Sequence, residues 1–600
     1  MKWMWLLGLS LVLLVVLSVF WQRSAVTDIL RAGKAAWDHR RFVATLPNVT
    51  QLPEVQIAMP DGVRLASDIY LPDTAKAPVP IILMRLPYGK RRFGEVRKWM
   101  RIFLPAGYGV VVQDMRGRYA SQGEFAPYPN AQGDGAATLD WIAAQGWSNG
   151  QVGTIGCSAL GETQVILGKA RHPNHAAMIP MGAGGAIGSL GGSHGYFGFF
   201  EGGIFNLASG FGWFVAAGGK TADKMGKPAV DYPAGLSTLP ARDAVARFRD
   251  DPTDFRAFMD HFGDAEYWAD AGFVTERDQF ETPFLFVDGW YDGARETLQM
   301  ADHMRRTGAQ GHVVILPGLH CDLGAAFANG GVGDMAVNSD NARDIEALSL
   351  RVMDHHLKGA PAPDLPPVLY YMLGEDRWYD ADQWPPRAAR PHVLYLSDDG
   401  LASVPPATAG TTRFVSDPAD PVPTLGGNIC CTGDPDLRAG PLFQNPIEGR
   451  DDLAIMTGPR LDGPLRLAGP VTAILHVSSD VPDTDLILRL TDVDPAGRSL
   501  MIQEGALRLR YRDGVGQPRL MTPGDVYEVR VILRDIAYQV PAGHRLRLHV
   551  AGSSFPRLAR NMNGGGDPYA ESDPQKAEIT VHQGPATPSR VVLSILPDDE

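Results

Sequence analysis

The run Val152–Glu162, VGTIGCSALGE, constrains this chain most, because an apolar strand feeds directly into a serine bounded by small residues and a helical pattern follows at once. A side chain on so sharp a strand-to-helix turn stands clear of the backbone only when its neighbours are small, and Gly156 and Gly161 supply that. The helix behind the serine would place unpaired N–H groups and the positive end of its dipole where negative charge can develop. The spacing is G-x-S-x-x-G, one residue longer than the common G-x-S-x-G. Any glycine-rich turn can hold a serine, so the rest of the chain must decide whether Ser158 is a nucleophile.

Around that turn the text alternates between short apolar runs and helical patterns. EVQIAMPDGVRLASDIYLP (54–72) reads as two strands about an Asp61–Gly62 turn, ending at Pro72. PIILMRLPYG, GYGVVVQDMRG and QVGTIGC are apolar runs closed by turn signals, and Ala136, Leu139, Ile142 and Ala143 fall at helical spacing between the last two. HAAMIPMG, TPFLFVDGWYDG (282–293) and GHVVILPGLH (311–320) continue the series, and a last helix over Asp340–Lys358 stops at Gly359. Apolar strands alternating with helices predict an α/β fold with a parallel sheet covered on both faces. From about 185 to 280 the rhythm breaks into glycine- and aromatic-rich text and polar helical segments, which predicts an inserted helical cap. The look-alike of a dinucleotide loop at Gly182 and Gly184 lacks the acidic residue that such a loop requires. After a linker, PAPDLPP (361–367), the alternating runs AILHVSSD, LILRLTDV, YEVRVILRDI and HRLRLHVAG predict an all-β jelly-roll domain over 366–600, behind a catalytic domain over 50–360.

A chain of 600 residues, 44% of them hydrophobic, exceeds what one core uses, so more than one domain is expected. A net charge of -13 without a basic cluster argues against a nucleic-acid partner, since neutralising phosphates takes a concentrated Lys/Arg face. The 4 cysteines make no disulfide framework and none has C-x-x-C spacing, so neither a metal nor a cofactor is expected. Cys157 and Cys321 flank two residues of chemical interest and read as small packed thiols, while Cys430 and Cys431, being adjacent, are disfavoured as a pair. Trp3 to Trp21 carries no charge and is about as long as a bilayer requires, so a retained membrane anchor is expected in preference to a cleaved signal. The side of the membrane stays open. Arg23, Arg31, Lys34, Arg40 and Arg41 follow the span and lean towards a cytoplasmic body, but several of them can belong to a folded helix. The oligomeric state is not legible.

A serine hydroxyl becomes a nucleophile when a histidine takes its proton and a carboxylate holds that histidine in the right tautomer. In doubly wound hydrolases the order is Ser, Asp, His, each just after a strand. Asp292 follows FLFVDGW and His320 ends VVILPGL. Both therefore lie at carboxyl ends of strands, where open parallel sheets gather their sites. Room for a cap separates Ser158 from Asp292, and room for one helix and one strand separates Asp292 from His320. Asp288 is a rival carboxylate that can still lie inside its strand. Among the histidines, His303 sits mid-helix and reads as a surface residue, His312 starts a strand at the wrong end, and His355 and His356 read as helix surface and core. Acyl transfer also needs donors aimed at the oxygen that becomes negative. The Ala159 N–H comes with the turn, and the Tyr88 phenol, in RLPYG after a core strand, can supply the second.

RLPYGK, VVQDMRGRYASQGEF, DGAATLDWIAAQGWSNGQVGTIGCSALGETQ, GWYDG, GPRLDGPLRLAGPV and PAGHRLRLHVAGSSFPRLARNMN occur in this order over about residues 50–600, and in them the chain resembles the CocE/NonD hydrolases, the cocaine esterase and X-prolyl dipeptidyl peptidase group. The resemblance implies an α/β-hydrolase core, a helical cap and a C-terminal jelly roll. It also implies Ser158, Asp292 and His320 as triad, with Tyr88 and the Ala159 amide as oxyanion hole. One position departs from the pattern: Ala159 stands where the family usually has tyrosine, which keeps the backbone donor but removes a ring from the pocket. Glu162 is a nominal candidate for an acidic group that would hold an α-amine. Trp147, Trp290 and Tyr291 are candidate pocket residues, with core packing the alternative for each, and Arg116 is expected to brace carboxylates.

The expectation is thus a serine hydrolase acting on a small ester, or an amide, through an acyl-enzyme on Ser158. The alternatives are an X-Pro dipeptidyl peptidase acting on short peptides and a non-catalytic ligand-binding protein.

Overall fold

The computed structural model describes residues 33–597, apart from 36, 47, 74–77 and 221–229. Ten strands form the main sheet: β1 (Val49–Ala58), β2 (Arg64–Pro72), β3 (Val79–Leu86), β4 (Gly109–Asp114), β5 (Ser148–Cys157), β6 (His175–Met181), β7 (Phe284–Tyr291), β8 (Gly311–Leu319), β9 (Val368–Met372) and β10 (Arg377–Ala381). Their spatial order is β1-β2-β4-β3-β5-β6-β7-β8-β9-β10. From β4 across to β9 every pairing is parallel, and antiparallel pairs close both edges. β4 and β7 are buried at every residue, as expected of strands covered on both faces. One of the covering helices, Gly94–Phe103, turns Val96, Trp99, Met100 and Phe103 inward at the spacing of a single helix stripe.

The hydrolase sheet runs on past the proline-rich linker. β9 pairs with β8, and β10 closes the edge beyond it, so the first two strands after residue 367 complete the α/β layer. The all-β region that follows is built from a 7-stranded and a 4-stranded sheet. It leans on the α/β layer through Leu373, whose N–H donates to Ala537 and whose carbonyl accepts from Gln539. The segment between β6 and β7 contains the helix Leu207–Ala217 and several shorter helices around an aromatic cluster that includes Phe197, Phe199, Trp213, Phe258 and Trp268. Arg116 pairs with Asp61 and Asp134, clipping the β1–β2 turn to the helix Ala131–Ala143.

The expected membrane anchor is corrected. Among the described residues no helix is long and apolar enough to cross a membrane, and Trp3–Trp21, which carried that expectation, lies outside them.

Candidate active site

β5 ends at Cys157, and Ser158 takes φ 60°, ψ -132° before the helix Ala159–Gly168 begins. A non-glycine residue in that region is held there by its surroundings. The Ser158 N–H donates to the Met181 carbonyl, and its own carbonyl accepts from the Glu162 N–H. Both flanking glycines are sterically required: a Cβ on Gly156 would stand 2.6 Å from the Leu160 Cβ, and one on Gly161 would stand 2.8 Å from the Met181 carbonyl oxygen. The longer G-x-S-x-x-G spacing therefore serves the packing of the first helical turn against β6.

The sheet order brings the ends of β5, β7 and β8 to one edge. His320, immediately after β8, has Nδ1 2.8 Å and 3.0 Å from the two carboxylate oxygens of Asp292 and Nε2 3.0 Å from the Ser158 Oγ. Gly182, at φ +50°, lets this cluster form, since a Cβ there would lie 2.9 Å from Asp292 Oδ2. Burial alone would lower the His320 pKa, but the Asp292 carboxylate outweighs it and holds the imidazole well above 6.5. Burial raises the Asp292 pKa, and the charge and hydrogen bond of His320 reverse that, so the carboxylate stays ionised.

The rival carboxylate, Asp288, lies inside β7 and is fully buried. It accepts from the Gly289 N–H at 2.7 Å and the Thr297 hydroxyl at 2.5 Å. Burial first, and the charge of Asp292 second, push its carboxyl well above the usual range. His303 is buried, not on the surface as its mid-helix position suggested, because its Nε2 bonds the Asp278 carbonyl at 2.8 Å. His312 sits at the start of β8, bonded through Nδ1 to the Pro366 carbonyl.

Tyr88 follows β3, the neighbour of β5, so its phenol projects over the same edge as Ser158. The Trp213 indole N–H donates to the Tyr88 hydroxyl at 3.1 Å, which leaves the phenolic proton to point into the site. Burial pushes the Tyr88 pKa up, keeping it a donor. Ala159 opens the helix, in the turn whose N–H groups have no acceptor four residues back.

Of the three proposed pocket residues, only Tyr291 lines the cavity beside His320 and Asp292, a space of about 70 Å³ walled by Phe197, Phe199 and Phe200. Trp147 is not brought there. It precedes β5, stands at the opposite end of that strand from Ser158, and packs on Trp141. Trp290 points the other way along β7 into the core, where its indole donates to the Tyr371 carbonyl and its ring meets Trp384.

Further groups complete the site, and of these only Glu162 was marked in the sequence as a site candidate. Cys157 and Cys321 form a disulfide with Cα atoms 5.8 Å apart, which corrects their reading as packed thiols. It ties the residue before Ser158 to the residue after His320. The Glu95 carboxylate caps the end of β5, accepting from the Cys157 N–H at 2.9 Å and the Trp99 indole at 3.0 Å. Glu162 is buried against Gly185 and turns its carboxyl into the cavity, with Oε2 making no hydrogen bond. Burial raises its pKa to about 8. The all-β region also reaches in: Asn428 donates to the Asp292 carbonyl at 2.5 Å, and Arg534 pairs with Glu296 at 3.0 Å.

The family model of the X-Pro dipeptidyl-peptidase (S15 family) matches residues 61–322, and that of the X-Pro dipeptidyl-peptidase C-terminal non-catalytic domain matches 362–592. Cocaine esterase of Rhodococcus sp. (strain MB1 Bresler) is 32% identical over 588 residues, spanning 92% of this chain and 99% of that protein. A solved α-amino acid ester hydrolase superposes with a TM-score of 0.78 at 26% identity, covering 91% of this chain and 97% of its own. An aminopeptidase from a marine sediment archaeon, Thaumarchaeota archaeon, shares the fold with a TM-score of 0.79 at 24% identity, covering 92% of this chain and 97% of its own.

Proposed function

The chain belongs to the CocE/NonD hydrolases, the cocaine esterase and X-Pro dipeptidyl-peptidase group, and is a serine hydrolase, and from that premise we propose that Ser158, His320 and Asp292 are its catalytic triad and that its substrates are esters with a compact acyl group. Ser158 Oγ attacks the ester carbonyl as His320 Nε2 takes its proton, and Asp292 stabilises the resulting imidazolium. The carbonyl oxygen becomes negative between the Tyr88 hydroxyl and the Ala159 N–H. The imidazolium then protonates the departing alcohol. Water, deprotonated by the same imidazole, releases the acid and restores Ser158.

What carries this reading is the unbroken path from carboxylate to imidazole to hydroxyl, with separations of 2.8 Å and 3.0 Å. The cavity beside His320 and Asp292 is small, about 70 Å³, and sets Phe197, Phe199 and Phe200 beside polar side chains that include Glu162, Glu296 and Arg534, which supports a compact acyl group. Hydrolysis rates across short-chain aryl esters, amino-acid esters and X-Pro anilides test the substrate class. Short-chain esters are expected to be turned over fastest, and faster turnover of X-Pro anilides would reverse the assignment.

The second reading, release of X-Pro dipeptides, draws on the two family descriptions and on Glu162, whose carboxyl faces the cavity and could meet an α-ammonium. With its pKa raised to about 8, that carboxyl is mostly neutral at pH 7, which weights the cavity towards uncharged acyl groups.

Tyr88→Phe removes one oxyanion donor while leaving the ring. It is expected to lower kcat by about 10²–10³ with little change in KM, read from steady-state kinetics on a short-chain aryl ester. An unchanged kcat removes the hydroxyl from the oxyanion hole.

A further inference from the structure

All 4 cysteines of the chain gather at this one site. Two are used in the disulfide beside Ser158 and His320, and Cys430 and Cys431 are free thiols, the second of them exposed. A nitrogen of His320 and the sulfurs of Cys430 and Cys431 all lie within 4.8 Å of one another. We propose that these three side chains form a binding site for a thiophilic divalent cation, Zn²⁺ or Cd²⁺, and that its occupation reversibly switches the hydrolase off.

The donor set is that of a Cys₂His zinc site with its fourth position left to a small oxygen ligand. Zinc–sulfur bonds of about 2.3 Å and zinc–nitrogen bonds of about 2.0 Å put tetrahedral ligand atoms roughly 3.5–3.8 Å apart. Closing the site from 4.8 Å thus takes a shift of about 1 Å, within reach of side-chain rotation at the exposed Cys431. Nδ1 of His320 is already held by the Asp292 carboxylate, so Nε2 is the nitrogen left for a metal. A carboxylate behind a ligating imidazole is the arrangement that fixes the ring and strengthens it as a ligand. The Ser158 Oγ, 3.0 Å from Nε2, uses the same lone pair and must swing aside when a metal binds, leaving the fourth position to a water.

The loop that carries the thiols is already fixed. The Asn428 side chain donates to the Asp292 carbonyl, and the Cys430 N–H donates to the Ser209 hydroxyl at 3.4 Å. Gly212, in the helix Leu207–Ala217, has no room for a Cβ against the Thr432 carbonyl, so the loop presses directly on that helix. Little ordering would therefore be needed on binding. Each thiol gives up its proton to solvent as it ligates. His320 Nε2, engaged by the metal, can no longer accept the proton of Ser158. The loss of activity therefore rests on the triad proposed above, whereas binding of the metal does not.

The test titrates the full chain with Cd²⁺, following the thiolate-to-cadmium charge-transfer absorption and ester hydrolysis in the same samples, and repeats the activity assay with Zn²⁺ and with Mg²⁺. The absorption is expected to saturate at one Cd²⁺ per chain while turnover falls in proportion. EDTA is expected to restore turnover, and Mg²⁺, which prefers oxygen ligands, to leave it unchanged. In Cys430→Ser and in Cys431→Ser, each compared with its own metal-free rate, the concentrations for half-saturation and half-inhibition are expected to rise by about tenfold or more. Absorption without inhibition would overturn the proposal by removing His320 from the ligand set. Half-saturation or half-inhibition unchanged in both serine variants would overturn it by placing the metal elsewhere.

Discussion

His320→Ala is expected to lower kcat for ester hydrolysis by about 10⁶-fold, leaving only the residual rate that substrate binding and the oxyanion donors sustain. The size of the loss follows from the geometry. Nε2 is the group within hydrogen-bond reach of the Ser158 Oγ that is suited to take its proton, and alanine leaves an unactivated hydroxyl. The members of such a relay act as one unit, so Ser158→Ala combined with His320→Ala is expected to cost little more than either change alone. Steady-state rates on a short-chain aryl ester, with circular dichroism to establish that the variants fold, provide the measurement. A loss of only tenfold would show that another group serves as base.

Asp292→Asn is expected to give the second large loss, about 10⁴-fold in kcat, although the side chain keeps its shape. The amide can donate to Nδ1 where the carboxylate accepted from it, which turns the imidazole to the tautomer with its proton on Nε2, facing Ser158. The same change removes the charge that holds the His320 pKa above 6.5. Only the neutral imidazole is a base, so kcat/KM rises as pH climbs through the pKa of His320 in the free enzyme. In the unaltered protein the midpoint of that acid limb is expected above 6.5, and in Asp292→Asn it is expected to move down. A limb that stays in place in the variant would show that Asp292 does not set the charge state of His320.

The positions of Ser158, Asp292 and His320 were legible because each follows an apolar run that could only be a buried strand, and the carboxyl ends of parallel strands converge. The same logic read backwards accounts for Trp147. It lies before its strand and therefore at the far end of the sheet, so aromatic character alone was a poor guide. Trp290 and Tyr291 are neighbours on β7 and point to opposite faces, so only one of them could line the cavity. The disulfide was not legible, because 164 residues separate its cysteines and only the adjacency of β5 and β8 loops at one edge brings them together. Glu95 and Trp213 belong to helices far from the motif in sequence, and nothing in their local text marks the groups they support. Arg534 and Asn428 come from the all-β region, whose alternating strands declared its fold but not that it would grip the backbone of Asp292. The linker composition at 361–367 marked a division, and it did not reveal that the first two strands beyond it, β9 and β10, pair onto the open edge of the hydrolase sheet.

The central claim is that Ser158 is the residue that carries the acyl group. Treatment with a fluorophosphonate, followed by intact-mass and peptide mass spectrometry, addresses it most directly. One adduct per chain is expected, on the peptide containing Ser158, absent in Ser158→Ala and formed far more slowly in His320→Ala. An adduct that persists in Ser158→Ala, or an active enzyme that takes up none, would contradict the account.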